Sequence, residues 1–373
     1  MTNTNNREQK GITIANSNLI RKIDEHSYRV KSQTGNGEYD VISTELGFIC
    51  SCPDSMYRNV KCKHVYGLEL SLAIKKEVKV RNEILIQPIS TSNCIYCKSD
   101  NIVRDGVRHN KHGNIQKFHC KICKKYFTIN LGFEKMKHDP KGITTAMQLY
   151  FSGESLRNTA KSLRLLGMDV THQTVYNWIK KYTKLMQEYS EKLKPQVSDT
   201  WRADEMYLKI RGNQKYMYAM MDDETRFFIA QEVADTKYTH DVQKLFKEAT
   251  RITERKPKTF ITDGAFNYKT AFYKEYRTRA VKDRPKHIRH IRFNGDNNNN
   301  KMERLNGEVR DREKVMRGIK KMDTPILKGY QIYHNYFRTH QGLQGQTPAE
   351  ACNIKIGGAN KWITFIENAS MKG

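Results

Sequence analysis

Two kinds of side chain in this sequence are spaced to hold metal ions. The first is cysteine. Seven of the eight cysteines lie between residues 50 and 123, in close pairs, and only Cys352 stands apart. "CSCPDSMYRNVKCKHV" presents Cys50, Cys52, Cys62 and His64 as Cys-x-Cys, nine residues, then Cys-x-His. Further on, Cys94-x-x-Cys97 is followed after 22 residues by Cys120-x-x-Cys123. Four thiolate or imidazole donors in two close pairs suit tetrahedral Zn²⁺, so each quartet is expected to hold one structural zinc. Disulfides would be the alternative in an exported protein, but the opening MTNTNNREQK carries no apolar export segment. A thioredoxin-like redox site needs a single Cys-x-x-Cys in a βαβ setting, not two. His109, His112 and His119 are read as solvated or phosphate-facing rather than as spare ligands. Cys352 is read as a small core residue.

The second kind is carboxylate. "WRADEMYLKI", residues 201 to 210, places Asp204 and Glu205 at the head of an apolar, strand-like run. The surrounding chain is strongly basic: 66 Lys plus Arg against 40 Asp plus Glu, a net charge of +26 and a pI near 9.6. Such a balance favours a polyanionic partner, because Lys and Arg gain affinity by displacing phosphate counterions. Nucleic acid leads over an anionic membrane, since no apolar run approaches the ~20 residues that span a bilayer. The expectation is a soluble, cytoplasmic protein that binds no membrane. Acids set into a strand of a polyanion-binding protein call for a cation between them and the phosphates.

The elements that must position these groups follow in order. "SYRVKSQTGNGEYDVIST" reads as two strands around a glycine-containing turn, and "VYGLELSLAIKKEV" after His64 has helical spacing. Residues 152–182 hold two helical stretches about Gly167, one face formed by Leu156, Ala160 and Leu163, the next by Val175, Trp178 and Ile179. With Thr171 as N-cap, the second helix would offer His172, Gln173, Asn177, Lys180 and Lys181 to DNA, as a helix-turn-helix does. An ordinary helical hairpin is the competing reading. From Trp201 the pattern turns to strands, "MYLKIRG", "KYMYAMMDD" and "RFFIAQEVAD". A helix, "DVQKLFKEAT", follows, then a buried-type strand ending at Asp263, a helix "TAFYKEY", a strand-like "HIRHIRF", the Asn-rich loop 297–300 and a long helix from Lys301.

Three strands, a helix, a strand, then helices is the order of an RNase H-like fold. There a carboxylate from the first strand lies beside one at the end of the fourth, and a later helix supplies a third. Hard carboxylate oxygens of this kind suit Mg²⁺ or Mn²⁺. Each acid alone has a plain alternative: a strand-end ion pair at Asp204 or Glu205, a turn at Asp263, a solvated helical acid at Glu303. Asp222 and Asp223 in "MMDDETR" are assigned to a hairpin turn. "TPAE", Thr347 to Glu350, reads as a capping box. Arg304, Arg310, Arg338 and His340 are equally suited to phosphate contacts or to solvated surface.

Several stretches resemble known families. Cys50 to His64 with its flanks resembles a SWIM-type zinc finger. Cys94 to Phe127, ending "QKFHCKICKKYF", resembles the N-terminal zinc ribbon of insertion-sequence transposases. "WRADEMYLKIRGNQKYMYAMMDDETRFFIA", "FITDGAFNY" and "NNNNKMERLNGEVRDREKVMRG" resemble the three catalytic blocks of DDE transposases of bacterial and archaeal insertion sequences, relatives of retroviral integrases. "YHNYFRTHQGLQGQTPAEA" resembles their closing segment. The resemblance spans roughly residues 94–352. It implies a triad of Asp204, Asp263 and Glu303 holding Mg²⁺ or Mn²⁺, although the 39 residues between Asp263 and Glu303 exceed the family's usual spacing and leave Glu308 as an outside candidate. It further implies double-stranded DNA, both element ends and target, as substrate. A homodimer or larger assembly on DNA, associated with a prokaryotic nucleoid, is implied as well.

The expected architecture is therefore multidomain, with small zinc-binding β-rich N-terminal modules, a helix-turn-helix and an α/β RNase H-like catalytic domain. Its expected divisions are a SWIM-type module at 10–85, a zinc ribbon at 90–132, a helix-turn-helix domain at 140–195, the catalytic core at 199–352 and a tail at 353–373. The expected function is metal-dependent DNA cleavage and strand transfer. The competing one is a DNA-binding regulator descended from such an enzyme and no longer catalytic, which an intact acidic trio argues against.

Overall fold

The structure, a computed structural model, describes residues 6–371 apart from 18, 25, 34, 36, 46, 59, 82, 90–91, 111–112, 264, 279–283, 290–299 and 317–323. His112, the second half of "HIRHIRF" and most of the Asn-rich loop lie outside the described residues. The chain divides into two compact units, Met1–Glu83 and Ile84–Gly373.

The first unit contains α1 (Asn6–Ala15), β1 (Ile20–Lys22), β2 (Ser27–Lys31), β3 (Glu38–Thr44), β4 (Gly47–Cys50), α2 (Pro53–Arg58) and α3 (Lys63–Arg81). The four strands form an antiparallel meander in chain order. Its core is small: Ile14, Val30, Val41, Val65 and Leu68 pack around the buried sulfurs of Cys50, Cys52 and Cys62. Helices α1 and α3 approach closely at Gly11 and Gly67, where an added Cβ would come within 2.6 Å of Tyr66 and 2.7 Å of Ile14 respectively.

The second unit opens with β5 (Ile84–Ile86), then a three-stranded antiparallel sheet of β6 (Ile102–Asn110), β7 (Gly113–Cys120) and β8 (Tyr126–Thr128). Helices α4 (Pro140–Ser152), α5 (Leu156–Leu165) and α6 (His172–Ser190) follow, and their starts are written in the sequence. Asp139, Ser155 and Thr171 each accept a backbone N–H in the first turn, and Pro140 occupies a position where its missing N–H costs nothing.

A five-stranded sheet is the centre of this unit. It contains β9 (Thr200–Ile210), β10 (Asn213–Asp222), β11 (Phe228–Ala234), β12 (Thr259–Thr262) and β13 (Lys286–Arg289), with α7 (Thr239–Thr253) and α8 (Phe266–Tyr276) in the connections. The order across the sheet is β11-β10-β9-β12-β13, the first three antiparallel and the last three parallel. This is the RNase H-like arrangement, and the parallel crossovers are made through helices as they must be. After α9 (Asn300–Met316) and α10 (Pro325–Tyr336) come α11 (Pro348–Ala351), β14 (Ile354–Ile356) and α12 (Lys361–Ser370).

Residues 353–373 were expected as a tail, but β14 pairs in parallel with β5, and Trp362, Phe365 and Ile366 of α12 are buried. Trp362 stacks on Phe337 with ring centroids 3.6 Å apart, so burial of aromatic area holds this segment on the unit. Thr347 and Glu350 form the expected capping box, and Cys352 is buried with its Sγ 3.1 Å from the Thr225 hydroxyl. No described helix is long and apolar enough to cross a membrane.

Candidate active site

Strand β9 carries Asp204 and Glu205, and the register of the sheet brings the next acid to them. Strands β12 and β9 pair from Thr259 with Thr200 to Ile261 with Arg202. Continuing that register two residues past the last pair sets Asp263, just beyond the end of β12, beside Asp204. Ligand oxygens of Asp204, Glu205 and Asp263 indeed lie within 4.8 Å of one another.

The three acids have different surroundings. Asp204 is half-buried. Its Oδ2 accepts from Asn306 Nδ2 at 2.9 Å and its Oδ1 from the Glu205 backbone N–H at 3.0 Å. Burial pushes its carboxyl up to about 7, and the charges of Asp263, Glu205 and, less strongly, Glu303 push the same way. Asp263 is exposed, with Oδ1 accepting from the Ala265 N–H at 3.1 Å. Glu205 forms a 2.8 Å ion pair with Lys237, while its other oxygen, Oε2, is buried without a partner. A cluster of hard oxygens with one orphaned and one titrating near neutrality is the donor set a divalent cation would satisfy.

Glu303 lies in the first turn of α9 and is exposed. It acts on Asp204 through its charge but is outside the group of acids that approach within 4.8 Å. Helix α9 is tied down at two levels: Asn306 holds Asp204, and Glu313 Oε1 accepts from the Lys209 N–H at 2.6 Å. Lys301 donates to both the carbonyl and the carboxylate of Asp223 at 2.8 Å, and Arg202 reaches the same carboxylate at 2.5 Å. Burial would raise the Asp223 carboxyl, yet these two cations hold it below the usual carboxylate range. Asp222 is fully buried and accepts from the N–H and hydroxyl groups of Ser198 and Thr225. Both acids thus brace the β10–β11 turn, as read from "MMDDETR". Glu308 is committed to Tyr330 at 3.0 Å and to the Arg338 guanidinium. Arg304 and Arg310 are exposed, and His340 is buried.

The cysteine quartets are also brought together, each with its four donor atoms within 4.8 Å of one another. In the first, His64 Nδ1 lies 3.7 Å from Cys50 Sγ and 3.9 Å from Cys62 Sγ. In the second, Cys94 and Cys123 sulfurs are 3.6 Å apart and those of Cys97 and Cys120 3.5 Å. A tetrahedron with Zn–S near 2.3 Å has edges of roughly 3.8 Å between sulfurs, so both quartets match the ion in size and donor type. Backbone N–H groups of Cys123 and Ile122 pull the Cys120 thiol down to about 6, toward the thiolate that a metal requires. On α6, His172, Gln173, Asn177, Lys180 and Lys181 are all exposed, and Gln173 Nε2 donates to Asn177 Oδ1 at 3.2 Å.

Sequence reading did not single out Asn306, whose only signal was its place one helical turn after Glu303, nor the grip of Arg202 and Lys301 on Asp223. The ion pair read as possible at Glu205 is present, to Lys237, and an oxygen of Glu205 also lies among those of Asp204 and Asp263.

Comparison with known proteins gives these residues a context. A family profile described as a DDE domain matches residues 198–340. Two Staphylococcus aureus proteins are 29% identical over 136 residues. They are the transposase for insertion sequence-like element IS431mec of strain Mu50 and the transposase for insertion sequence element IS257 in transposon Tn4003. Each match covers 35% of this chain and 58% of the relative's length. Among solved structures, the magnesium-bound HTLV-2 integrase catalytic core is 17% identical, covering 43% of this chain and 98% of that one, at a TM-score of 0.32. That score is too low to add weight to the strand order above. Residues 198–340, which carry Asp204 and Asp263, thus match a DDE domain, and over 136 residues this chain is similar to insertion-sequence transposases.

Proposed function

We propose that the chain is a DDE transposase that cuts DNA strands at the ends of an insertion sequence and joins them to target DNA in a divalent-metal-dependent reaction. The observation that carries this reading is the meeting of Asp204 and Asp263, from two strands 59 residues apart in sequence, inside a matched DDE domain. Asp204, Asp263 and Glu303 are the proposed catalytic acids and would hold Mg²⁺ or Mn²⁺. When bound, such ions supply activation of a water or 3′-hydroxyl nucleophile and stabilisation of the leaving oxygen. The chain's own part is positional. Asn306 and the Glu205 backbone N–H fix both oxygens of Asp204, while Asp263 stays open to the substrate side. Lys301 and Arg202, through Asp223, fix the start of α9 and so the reach of Glu303.

Two structural zinc ions, one per cysteine quartet, are proposed to hold the N-terminal modules folded, in keeping with a SWIM-type finger at residues 10–85 and a ribbon at 90–132. Residues 140–195 are proposed as a DNA-binding helix-turn-helix, with the exposed face of α6 meeting the element's ends. The substrate is double-stranded DNA, and two such ends call for at least a homodimer. A cytoplasmic, nucleoid-associated location follows from that substrate.

The decisive experiment incubates purified protein with DNA carrying the ends of the flanking element, with Mg²⁺ or with EDTA. Nicks at the element boundary that need Mg²⁺ are expected. Boundary-specific binding without any Mg²⁺-dependent nick would replace the enzyme by a DNA-binding regulator.

A further inference from the structure

One face of α8 exposes large aromatic rings beside a row of cations. Phe266 is 71% exposed and Tyr273, two helical turns on, is 51% exposed. With Lys269, Lys274, Arg277 and Arg284 they line a groove of about 780 Å³. None of the described residues lining it is acidic. Arg284 is held in place by its Nε, which donates to the Thr278 carbonyl at 3.1 Å. Beyond Tyr273 a second hollow of about 250 Å³ opens against Arg284 and Pro285. The groove starts three residues after Asp263.

Exposed rings offer flat stacking surfaces, and a row of cations beside them selects an anionic occupant. The two rings stand about 10 Å apart along the helix axis, at 1.5 Å per residue, which makes them two separate platforms with charge between and beyond them. Stacked rings and phosphate-binding cations in one groove are the means by which proteins hold unpaired nucleic acid, because every base has a free π-face only when it is out of the duplex. We infer that the Phe266–Tyr273 face of α8 binds a single strand of DNA, the strand left unpaired at the end being cut, and leads it away from the acids. This rests on DNA being the substrate proposed above.

Fluorescence anisotropy with a blunt duplex and with the same duplex bearing a short single-stranded overhang tests the inference. Wild type is expected to prefer the overhang. The double variant F266L/Y273L should lose about tenfold or more of its overhang affinity, since stacking is worth roughly 5- to 150-fold per base. It should keep its affinity for the blunt duplex. The variant K269A/K274A should weaken overhang binding and flatten its salt dependence. Unchanged overhang affinity in F266L/Y273L, or equal losses on both DNAs, overturns the inference while leaving Mg²⁺-dependent nicking, measured separately, to decide the enzyme reading. Failure of the wild type to bind either DNA overturns the DNA substrate and this inference with it. A readout independent of variant folding is photo-cross-linking of wild type to an overhang carrying 5-iodouracil. Adducts at Phe266 or Tyr273 are expected, and adducts confined to other residues overturn the assignment.

Discussion

The sulfurs of Cys94 and Cys123 stand 3.6 Å apart with Cys97 and Cys120 completing the quartet, and Cys50, Cys52, Cys62 and His64 are all buried. The acids of the DDE domain are arranged otherwise. Asp204 is half-buried, Asp263 is exposed, and Glu303 stands off on its own helix. Each quartet offers four donors from the chain itself, enough to surround an ion, although Cys97 of the second is exposed. The acids are open, so a cation held among them would keep coordination positions for water and phosphate. Closure would suit a folding role, openness a reacting one. In the first unit the contrast is sharpest, because its apolar core is built around the sulfurs themselves.

The largest expected effect breaks the closed side. Cys62→Ser removes a ligand at the centre of that small core. Structural zinc in small modules is worth on the order of 10 kcal/mol of apparent binding energy, most of it folding energy. Circular dichroism and proteolysis should show residues 10–83 unfolded while the DDE domain melts as before. Metal analysis should fall from two zinc per chain to one. A variant that keeps both zinc ions and a folded first unit would show that the quartet is no metal site.

Next comes the open side. Asp204→Asn keeps the side chain's size and should leave the domain folded, with DNA binding intact, while strand cleavage drops about a thousandfold. That figure corresponds to ~4 kcal/mol of lost transition-state stabilisation. Asp263→Asn should behave alike. Where Cys62→Ser should cost structure in the first unit and spare the chemistry of the second, these changes should cost chemistry and spare structure. Undiminished Mg²⁺-dependent cleavage in both variants would sink the proposed mechanism.

How much of this contrast was legible in the sequence depends on distance along the chain. The quartets could be read because their pairs are one or two residues apart, and the spacing itself encodes the geometry. The strand order could be read because each strand announces its own period. The start of β9 at Thr200 rather than near Met206 was less clear, since Arg202, Asp204 and Glu205 interrupt the apolar pattern. Asn306 reaching Asp204, Lys301 reaching Asp223, and β14 pairing with β5 were not legible. Those contacts join segments that only the finished fold brings together, and nothing local marks either partner.

A smaller effect separates the two sides by pH. Folding raises the Asp204 carboxyl from the usual carboxylate range to about 7. Between pH 4 and 7 the folded chain therefore holds a proton that the unfolded chain has released. For this group, stability is present below about pH 4 and declines as pH rises through 7. A divalent cation competes for the ionised form. Mg²⁺ at ten times its dissociation constant should add about 1.4 kcal/mol at pH 8, on the order of 3 °C in the melting temperature of the DDE domain. At pH 5 the gain should nearly vanish. Differential scanning fluorimetry at the two pH values reads this directly, and an equal gain at both would mean that Asp204 is not the titrating ligand.

The smallest expected effect is at Glu205, and it tests which acid completes the site. Its oxygens lie within reach of Asp204 and Asp263, closer than Glu303 comes, so geometry alone makes it a candidate third ligand. Two observations weigh against that. One oxygen is already paired with Lys237 at 2.8 Å, and the side chain is only 8% exposed, which turns it away from an approaching phosphate. Glu303 is exposed in the first turn of α9, a turn anchored through Lys301, and its charge already acts on Asp204. Glu205→Gln should therefore retain cleavage within a few-fold. It should also lower the Asp204 pKa, because one of the charges raising it is gone. Glu303→Gln should be as inactive as Asp204→Asn. If instead Glu205→Gln is inactive and Glu303→Gln cuts DNA, the third acid belongs to β9 and not to α9. The open site would then be built almost wholly on the sheet, with α9 serving to position Asp204 through Asn306.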